Sequence, residues 1–253
     1  MTTLRGRKIL FFAALAGAAA GFLLRLIQLR TAFDETGLPS GGSWIVLAAF
    51  CAVCVAALAL TVRRLPEKTE YGACYGPDPV CVILYVAAAG LLLAANVSTL
   101  IAGTPEGTPL ERYLIRLTDL LGILTALSFV ATAAAQYRGE KPKPWTCLLP
   151  VVFFVLRLIF HFKSWSTDPV ILDYCFKLFG EITVMLSVFY AGGFLFDKGK
   201  RRLAAFFCLA GMVFAGITLA DGGLEHCLTA GSGLCLLAAH AAQILRLRAG
   251  EPE

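Results

Sequence analysis

The sequence predicts an all-α polytopic membrane protein, a bundle of eight transmembrane helices forming one domain over residues 1–253. The first observation is composition: 58% of the residues are hydrophobic and only 15% are charged, whereas soluble domains average about 45–50% apolar and about 25% charged residues. The second is that the apolar runs are continuous and do not alternate as in a transmembrane β-barrel. The third is that eight runs reach the roughly 20 residues that a helix needs to cross the hydrocarbon. These features exclude a disordered chain, a disulfide scaffold and a large water-soluble domain.

The eight runs are separated by turn-forming residues. The predicted spans are 9–29, 43–62, 80–102, 113–137, 145–163, 169–196, 203–221 and 224–245. Glycine and proline mark the gaps, as in Gly76-Pro77-Asp78-Pro79 and Gly222-Gly223. Only short connections remain, so a second soluble domain is not expected.

The first span has an alternative interpretation. Its basic start and the small residues Ala18-Ala19-Ala20-Gly21 resemble a signal peptide with a cleavage site. The apolar run continues without a break to Ile27, so we expect an uncleaved first helix.

The distribution of Lys and Arg predicts the orientation in the membrane. The two tails and the second, fourth and sixth connections carry fifteen cations, whereas the other connections carry three cations and seven acids. Cytoplasmic loops of membrane proteins are enriched in Lys and Arg. We therefore expect both termini in the cytoplasm.

Ionisable residues inside the predicted spans are the candidate functional residues. Insertion scales place a central Arg, Lys or Asp at roughly 2.5–3.5 kcal/mol each, so such groups must pair, reach the interface or line water. Most of them fall in the half of the membrane nearest the predicted outer face. The candidates are Arg25, Arg116, Asp119, Arg157, His161, Asp173, Lys177 and Glu181.

Helical spacing places several of these residues on shared faces. Arg157 and His161 are four residues apart on the fifth span, and Asp173, Lys177 and Glu181 form an i, i+4, i+8 stripe on the sixth. Because these two spans form a hairpin, we expect Arg157 at the depth of Lys177, between the two acids. Glu181 is the deepest acid and the best candidate for a proton-titrating group.

Two interpretations of the buried charges remain open. In the first, they form a structural web, with Arg157 pairing Asp173 or Glu181, Arg116 pairing Asp119, and Arg25 and Arg116 reaching outward. In the second, they line a water-accessible outer pocket between the first, fourth, fifth and sixth spans. Four cations face three acids in that arrangement, which suits a small anionic or zwitterionic ligand or a lipid headgroup.

Motifs for cofactor or metal chemistry are missing from the sequence. Most of the nine cysteines lie inside apolar runs. Cys51-x-x-Cys54 lies mid-helix, where a packing role is expected. The three histidines have no metal-ligand spacing, and we expect His240 to be a packed or interfacial side chain. We therefore expect no cofactor, no metal and no nucleic-acid partner; the lipid bilayer is the expected surrounding, and a protein partner stays open.

Two further patterns concern ancestry. Leu24-Arg25-Leu26-Ile27 recurs as Leu156-Arg157-Leu158-Ile159, which indicates a 4+4 duplication of 1–138 and 145–248, although leucine-rich chains also produce such matches by chance. The segments 28–39 and 168–174, with Gln28-Leu29-Arg30 and Asp168-Pro169-Val170, resemble uncharacterised bacterial multi-pass membrane proteins. That resemblance implies a bacterial plasma membrane as the location, and it implies no particular activity.

Three functional hypotheses follow. The favoured one is a small permease-like or ligand-sensing protein with an outward-facing charged pocket. The second is a non-catalytic membrane subunit or scaffold, whose buried charges only join helices. The third is an intramembrane enzyme acting on lipid headgroups, with His161 and Asp173 as acid–base pair; it ranks last because no nucleophile or metal constellation accompanies them.

Overall fold

The computed structural model describes residues 4–31, 42–103, 109–165 and 171–246. In chain order the elements are α1 (Leu4–Thr31), α2 (Ser43–Val62), β1 (Lys68–Thr69), α3 (Tyr71–Cys74), α4 (Pro79–Ala102), α5 (Pro109–Tyr137), α6 (Trp145–Trp165), α7 (Ile171–Leu195), β2 (Gly199–Lys200), α8 (Arg201–Thr218), a 3₁₀ turn (Leu219–Asp221) and α9 (Leu224–Ile244).

Eight of these helices are long and apolar enough to cross a membrane, which confirms the predicted fold class. The observed spans are Lys8–Thr31, Ser43–Val62, Pro79–Ala102, Arg112–Tyr137, Trp145–Lys163, Tyr174–Leu195, Arg201–Asp221 and Leu224–Ile244. The predicted boundaries differ from these by at most two residues, except at the start of the sixth span. That start, predicted at 169, falls outside the described residues.

An even number of spans places both described chain ends on one side of the bundle, here called the terminal face. The other side is the opposite face. The short strands β1 and β2 pair antiparallel at the terminal face, with Lys68 opposite Lys200 and Thr69 opposite Gly199. This two-stranded ribbon joins the connection before α4 to the connection before α8.

The helix α8 lies at the centre of the bundle, with fourteen of its eighteen residues buried. It packs against α1, α2, α7 and α9. The contact with α1 is close because small residues meet there: a Cβ at Gly216 would lie 2.6 Å from Cβ of Ala18, and one at Gly21 would lie 2.5 Å from Ile217. The small residues Ala18 and Gly21 of α1 thus serve packing within the chain.

Side chains also close the helix ends at the terminal face. Asp78 caps α4 by accepting a hydrogen bond from the Val80 amide at 2.9 Å, as expected for an N-cap aspartate. The fully buried Arg201 donates from Nε to the Ile244 carbonyl at 2.9 Å. This guanidinium therefore satisfies backbone carbonyls at the C-terminal end of α9, which α9 itself leaves unpaired.

Candidate functional site

Ionisable side chains from five elements meet in the half of the bundle nearest the opposite face. This charge cluster consists of Arg25, Arg157, His161, Lys177, Glu181, Asp221 and Glu225. They come from α1, α6, α7, the 3₁₀ turn and α9.

Arg157 forms the centre of one half of the charge cluster. Its Nε donates to Oε1 of Glu181 at 3.0 Å, and its Nη2 lies 2.8 Å from Oε1 of Glu225. The guanidinium thereby links α6 to both α7 and α9. Only 7% of Arg157 is exposed, so this cation depends on its two carboxylate partners instead of on water.

His161 contacts the same carboxylate oxygen. Its Nδ1 lies 2.6 Å from Oε1 of Glu181, and because a carboxylate accepts, Nδ1 is the donor in this pair when Glu181 is ionised. The His161 side chain is 24% exposed and the Glu181 side chain 11%. A partly exposed imidazole therefore contacts a carboxylate that is nearly buried.

Asp221 organises the other half of the charge cluster. Its Oδ1 lies 2.6 Å from Nε of Arg25, and its Oδ2 lies 4.0 Å from Nζ of Lys177. Arg25 also donates from Nη1 to Oε1 of Gln28 at 2.8 Å and lies over the Phe176 ring, 5.5 Å from the centroid. Arg25 is thus fully buried and does not reach outward to the membrane surface.

Local structure explains how these side chains converge. Arg157 and His161 share one face of α6, and Lys177 and Glu181 share one face of α7, because each pair is four residues apart. Gly222 and Gly223, with φ of 74° and 80°, let the chain turn sharply between Asp221 and Glu225. Glu225 then lies in the first turn of α9, where the helix dipole favours a negative charge.

A small cavity adjoins the charge cluster. Its volume is about 30 Å³, and Arg157, Lys177, Glu181 and His226 line part of it. His226 donates from Nε2 to the Thr218 carbonyl at 3.1 Å. The second carboxylate oxygen of Glu181, Oε2, is buried and has no hydrogen-bond partner among the described residues. A cavity of this size has room for one water molecule.

Two predicted site residues lie outside the charge cluster. Asp119 is buried on α5 and accepts a hydrogen bond from the Thr99 hydroxyl at 2.9 Å. Arg116 is exposed and, within the described part of the chain, forms no ion pair. The expected Arg116–Asp119 pair is therefore not formed, because Thr99 of the neighbouring α4 satisfies the carboxylate. The side chain of Asp173 lies outside the described residues.

The residues that the sequence did not nominate are Asp221, Glu225, His226 and Gln28. In the sequence, Asp221 and Glu225 flank the glycine pair after the seventh span, a position typical of acids in a connection between helices. Their position beside two consecutive glycines at an inter-helix turn was the only available signal. With them included and Arg116 excluded, three permanent cations face three carboxylates among the described side chains, so the predicted excess of cations is not seen.

A second buried polar group lies nearer the terminal face. The hydroxyls of Tyr75 and Tyr85 lie 3.1 Å and 3.0 Å from Nδ1 of His240. Gln136 and Gln243 exchange two amide hydrogen bonds of 3.1 Å and 2.8 Å. Burial raises the pKa of Tyr75 well above 10, so its hydroxyl stays protonated. His240 is accordingly a packed, hydrogen-bonded side chain that joins α9 to α4.

The described residues contain no disulfide and no arrangement for a metal. All nine cysteines are free thiols. Within residues 4–31, 42–103, 109–165 and 171–246, no three His, Cys, Asp or Glu side chains converge as a metal site requires. Comparison of the chain with protein-family models, with curated proteins and with solved structures finds no match.

Proposed function

We propose that this chain is a small permease-like or ligand-sensing protein of a bacterial plasma membrane, with its terminal face in the cytoplasm. Its charge cluster would receive a small zwitterionic ligand from the outer side. The observation that carries the proposal is Oε2 of Glu181, a buried acceptor without a hydrogen-bond partner among the described residues, next to a cavity lined by Arg157 and Lys177.

The energetic cost of the charge cluster supports a functional role. Each centrally placed charge costs roughly 2.5–3.5 kcal/mol to insert, and buried ion pairs are often no more stabilising than well-packed apolar residues. If these positions served only to hold the helices together, apolar side chains there would stabilise the bundle equally well. Intramembrane ionisable groups that persist despite this cost are typical of substrate, ion or proton sites.

The balance of charges favours a zwitterion over a simple anion. Three cations face three carboxylates, so an anion alone would leave an unpaired acid. Lys177 is the most loosely held cation, 4.0 Å from Asp221, and is available for a ligand carboxylate or phosphate. The unpartnered Oε2 of Glu181 can accept from an ammonium group.

Ligand entry requires a conformational change. The cavity of about 30 Å³ has room for water only. Arg157 bridges α6 and α7 to α9 through its two carboxylate partners. We therefore propose that the described conformation is closed, and that a ligand competes for these ion pairs as α6 and α7 move away from α9.

A thermal-shift experiment tests this proposal. Purified wild type, Glu181→Gln and Arg116→Ala are heated with millimolar amino acids, betaines, carboxylates or phosphate. A zwitterion is expected to raise Tm of the wild type and of Arg116→Ala, the control in which an arginine outside the charge cluster is removed, but not of Glu181→Gln. The proposal fails if every compound leaves the wild type unchanged, or if Glu181→Gln responds fully.

The scaffold hypothesis is the second candidate. It is favoured by the observation that each cation of the charge cluster has a carboxylate within 4.0 Å. Replacing Arg157, Glu181 and Glu225 together by methionine separates the two candidates. A scaffold should keep its stability, because apolar replacement of buried ion pairs is often neutral or favourable. A ligand-binding protein should lose its thermal response in the same variant.

The proposed orientation has an independent test. Reporter fusions after Lys141, Gly199 and Glu106 give signals that depend on the side of the membrane. We expect cytoplasmic signals at Lys141 and Gly199 and an outer signal at Glu106. An outer signal at Lys141 would invert the topology and place the charge cluster near the cytoplasm.

A further inference from the structure

An apolar groove separates α2 from α7, with α8 as its floor. Its volume is about 520 Å³. Its walls are apolar and aromatic over nearly their whole area, and include Trp44, Ala48, Val55, Phe179, Phe207 and Phe214. All of these residues belong to membrane-spanning segments, so the groove faces the hydrocarbon of the bilayer and not water.

The length of the groove matches one leaflet. On α2 it runs from Trp44 to Val55, and eleven residues at 1.5 Å each correspond to about 16 Å. The hydrocarbon core is about 30 Å thick, so the groove extends over about half of it. Most of this length lies in the half nearest the opposite face, where α2 begins at Ser43, and the floor on α8 continues past the middle of the membrane to Phe207.

The polar residues of the groove lie mainly at its outer end. Trp44, whose ring suits the headgroup level, and Gln28 both line that end. Toward the middle of the membrane the walls consist of phenylalanine, alanine and other small or apolar residues, with the Thr183 hydroxyl satisfied by carbonyls of its own helix at 2.8 Å. A groove with one polar end and one long apolar section is suited to an amphiphile that inserts a single long chain into it.

We propose that this groove binds one acyl chain of a phospholipid from the leaflet at the opposite face. A cavity of about 150 Å³ already accommodates benzene, and the groove is more than three times larger. The apolar walls exclude water, and the opening between α2 and α7 is formed by membrane-spanning segments, at the level of the lipid chains. A phospholipid places its ester region at the level of Trp44 and Gln28, which a chain without a headgroup would not do.

The bound chain would also contact the residues that hold Arg25. Gln28 and Phe176 line the groove, and the same two side chains receive the Arg25 guanidinium through a hydrogen bond and a cation–π contact. The groove and the charge cluster therefore share a wall. The lipid site itself does not depend on the proposed function of the charge cluster, and its test uses residues outside that cluster.

Filling the groove tests the proposal. Ala48→Trp and Ala52→Trp place an indole inside it, whereas Ala49→Trp adds the same ring to an exposed position of α2 outside the groove. Each protein is extracted in mild detergent, and retained phospholipid is counted by native mass spectrometry. We expect one phospholipid per chain in the wild type and in Ala49→Trp, and at least five-fold less in the two groove variants. Ala52 is exposed, so that variant remains informative if Ala48→Trp fails to fold.

Two results would overturn the proposal. The first is a wild type that retains no phospholipid, and the second is a folded groove variant that retains as much as Ala49→Trp. Delipidated protein is then supplied with dioleoylphosphatidylglycerol, dioleoylphosphatidylethanolamine or oleic acid. Rebinding of either phospholipid supports the proposal, and rebinding of oleic acid alone contradicts it by identifying a fatty-acid site.

Discussion

The close approach of α1 and α8 makes Gly216→Ala the sharpest stability test of the fold. A Cβ at Gly216 would lie 2.6 Å from Cβ, 2.7 Å from the carbonyl oxygen and 2.8 Å from Cα of Ala18. Two of these three atoms belong to the backbone of α1, so no rotamer change relieves the overlap. Overpacking costs about 1–3 kcal/mol, and a clash against backbone belongs in the upper part of that range.

Thermal unfolding in detergent measures this cost. At about 2–4 °C per kcal/mol for a chain of this size, a loss of about 2–3 kcal/mol lowers Tm by about 4–12 °C. The matched control is Gly90→Ala, at an exposed position of the spanning helix α4 where an added Cβ meets nothing within 4 Å. It should unfold at or slightly above the wild-type temperature, because alanine is favoured over glycine inside a helix by about 0.5–1 kcal/mol. Equal Tm values for Gly216→Ala and Gly90→Ala would refute the packing of α1 on α8.

Three further changes address the ion pairs and the polar contacts. Arg157→Ala leaves two acids without their cation and should cost about 3–5 kcal/mol in denaturant unfolding, whereas exposed Arg116→Ala should stay within about 0.5 kcal/mol; similar losses would contradict the network. Gln136→Leu removes the two hydrogen bonds between the buried amides of Gln136 and Gln243 and should lower the free energy of unfolding by about 1–3 kcal/mol. The double variant Gln136→Leu/Gln243→Leu should regain most of that stability, which a double-mutant cycle measures. The hydrogen bond from a lysine ammonium holds the pKa of Asp197 below its ordinary 3.8, so its stabilising contribution is present above that pH and lost as pH falls through the lowered pKa. The Tm advantage of wild type over Asp197→Asn should therefore disappear in acid, and a constant difference would argue against the ion pair.

The network around Arg157 joins two basic side chains through one carboxylate oxygen. His161 is partly exposed and shares an oxygen of Glu181 with the guanidinium. A change in the charge of either partner therefore alters the attraction that holds α6 against α7.

Some features of the charge cluster could be predicted from spacing alone. The hairpin of the fifth and sixth spans puts Arg157 level with Lys177 and one helical turn from Glu181, and atoms of Arg157 and Glu181 indeed lie 3.0 Å apart. That inference needs only helical rise and a short connection, both of which are local. The expected pairing of Arg116 with Asp119 used the same spacing argument within one helix. It is wrong, because the Asp119 carboxylate accepts a hydrogen bond from the Thr99 hydroxyl of α4 instead.

The partner of Arg25 illustrates the limit of local reasoning. Arg25 and Asp221 are 196 residues apart, and no periodicity connects them. Their contact exists because α8 lies beside α1 and the chain turns at Gly222, just after Asp221. Which helices are neighbours depends on side-chain fit, such as Ala18 against Gly216, and a hydropathy pattern contains no information about that fit.

The amino-acid sequence by itself determined the helix count, the span boundaries and the concentration of charges in one half of the bundle. The thickness of the bilayer sets the length of each apolar run. Charged residues inside such runs are costly and therefore rare, so they can be identified from the sequence. Only the tertiary structure decided that α8 is central, that Asp221 and Glu225 complete the charge cluster, and that α2 and α7 leave a groove between them. Those features depend on helix–helix packing in three dimensions, where a few small residues and one sharp turn select among many arrangements of equally apolar helices.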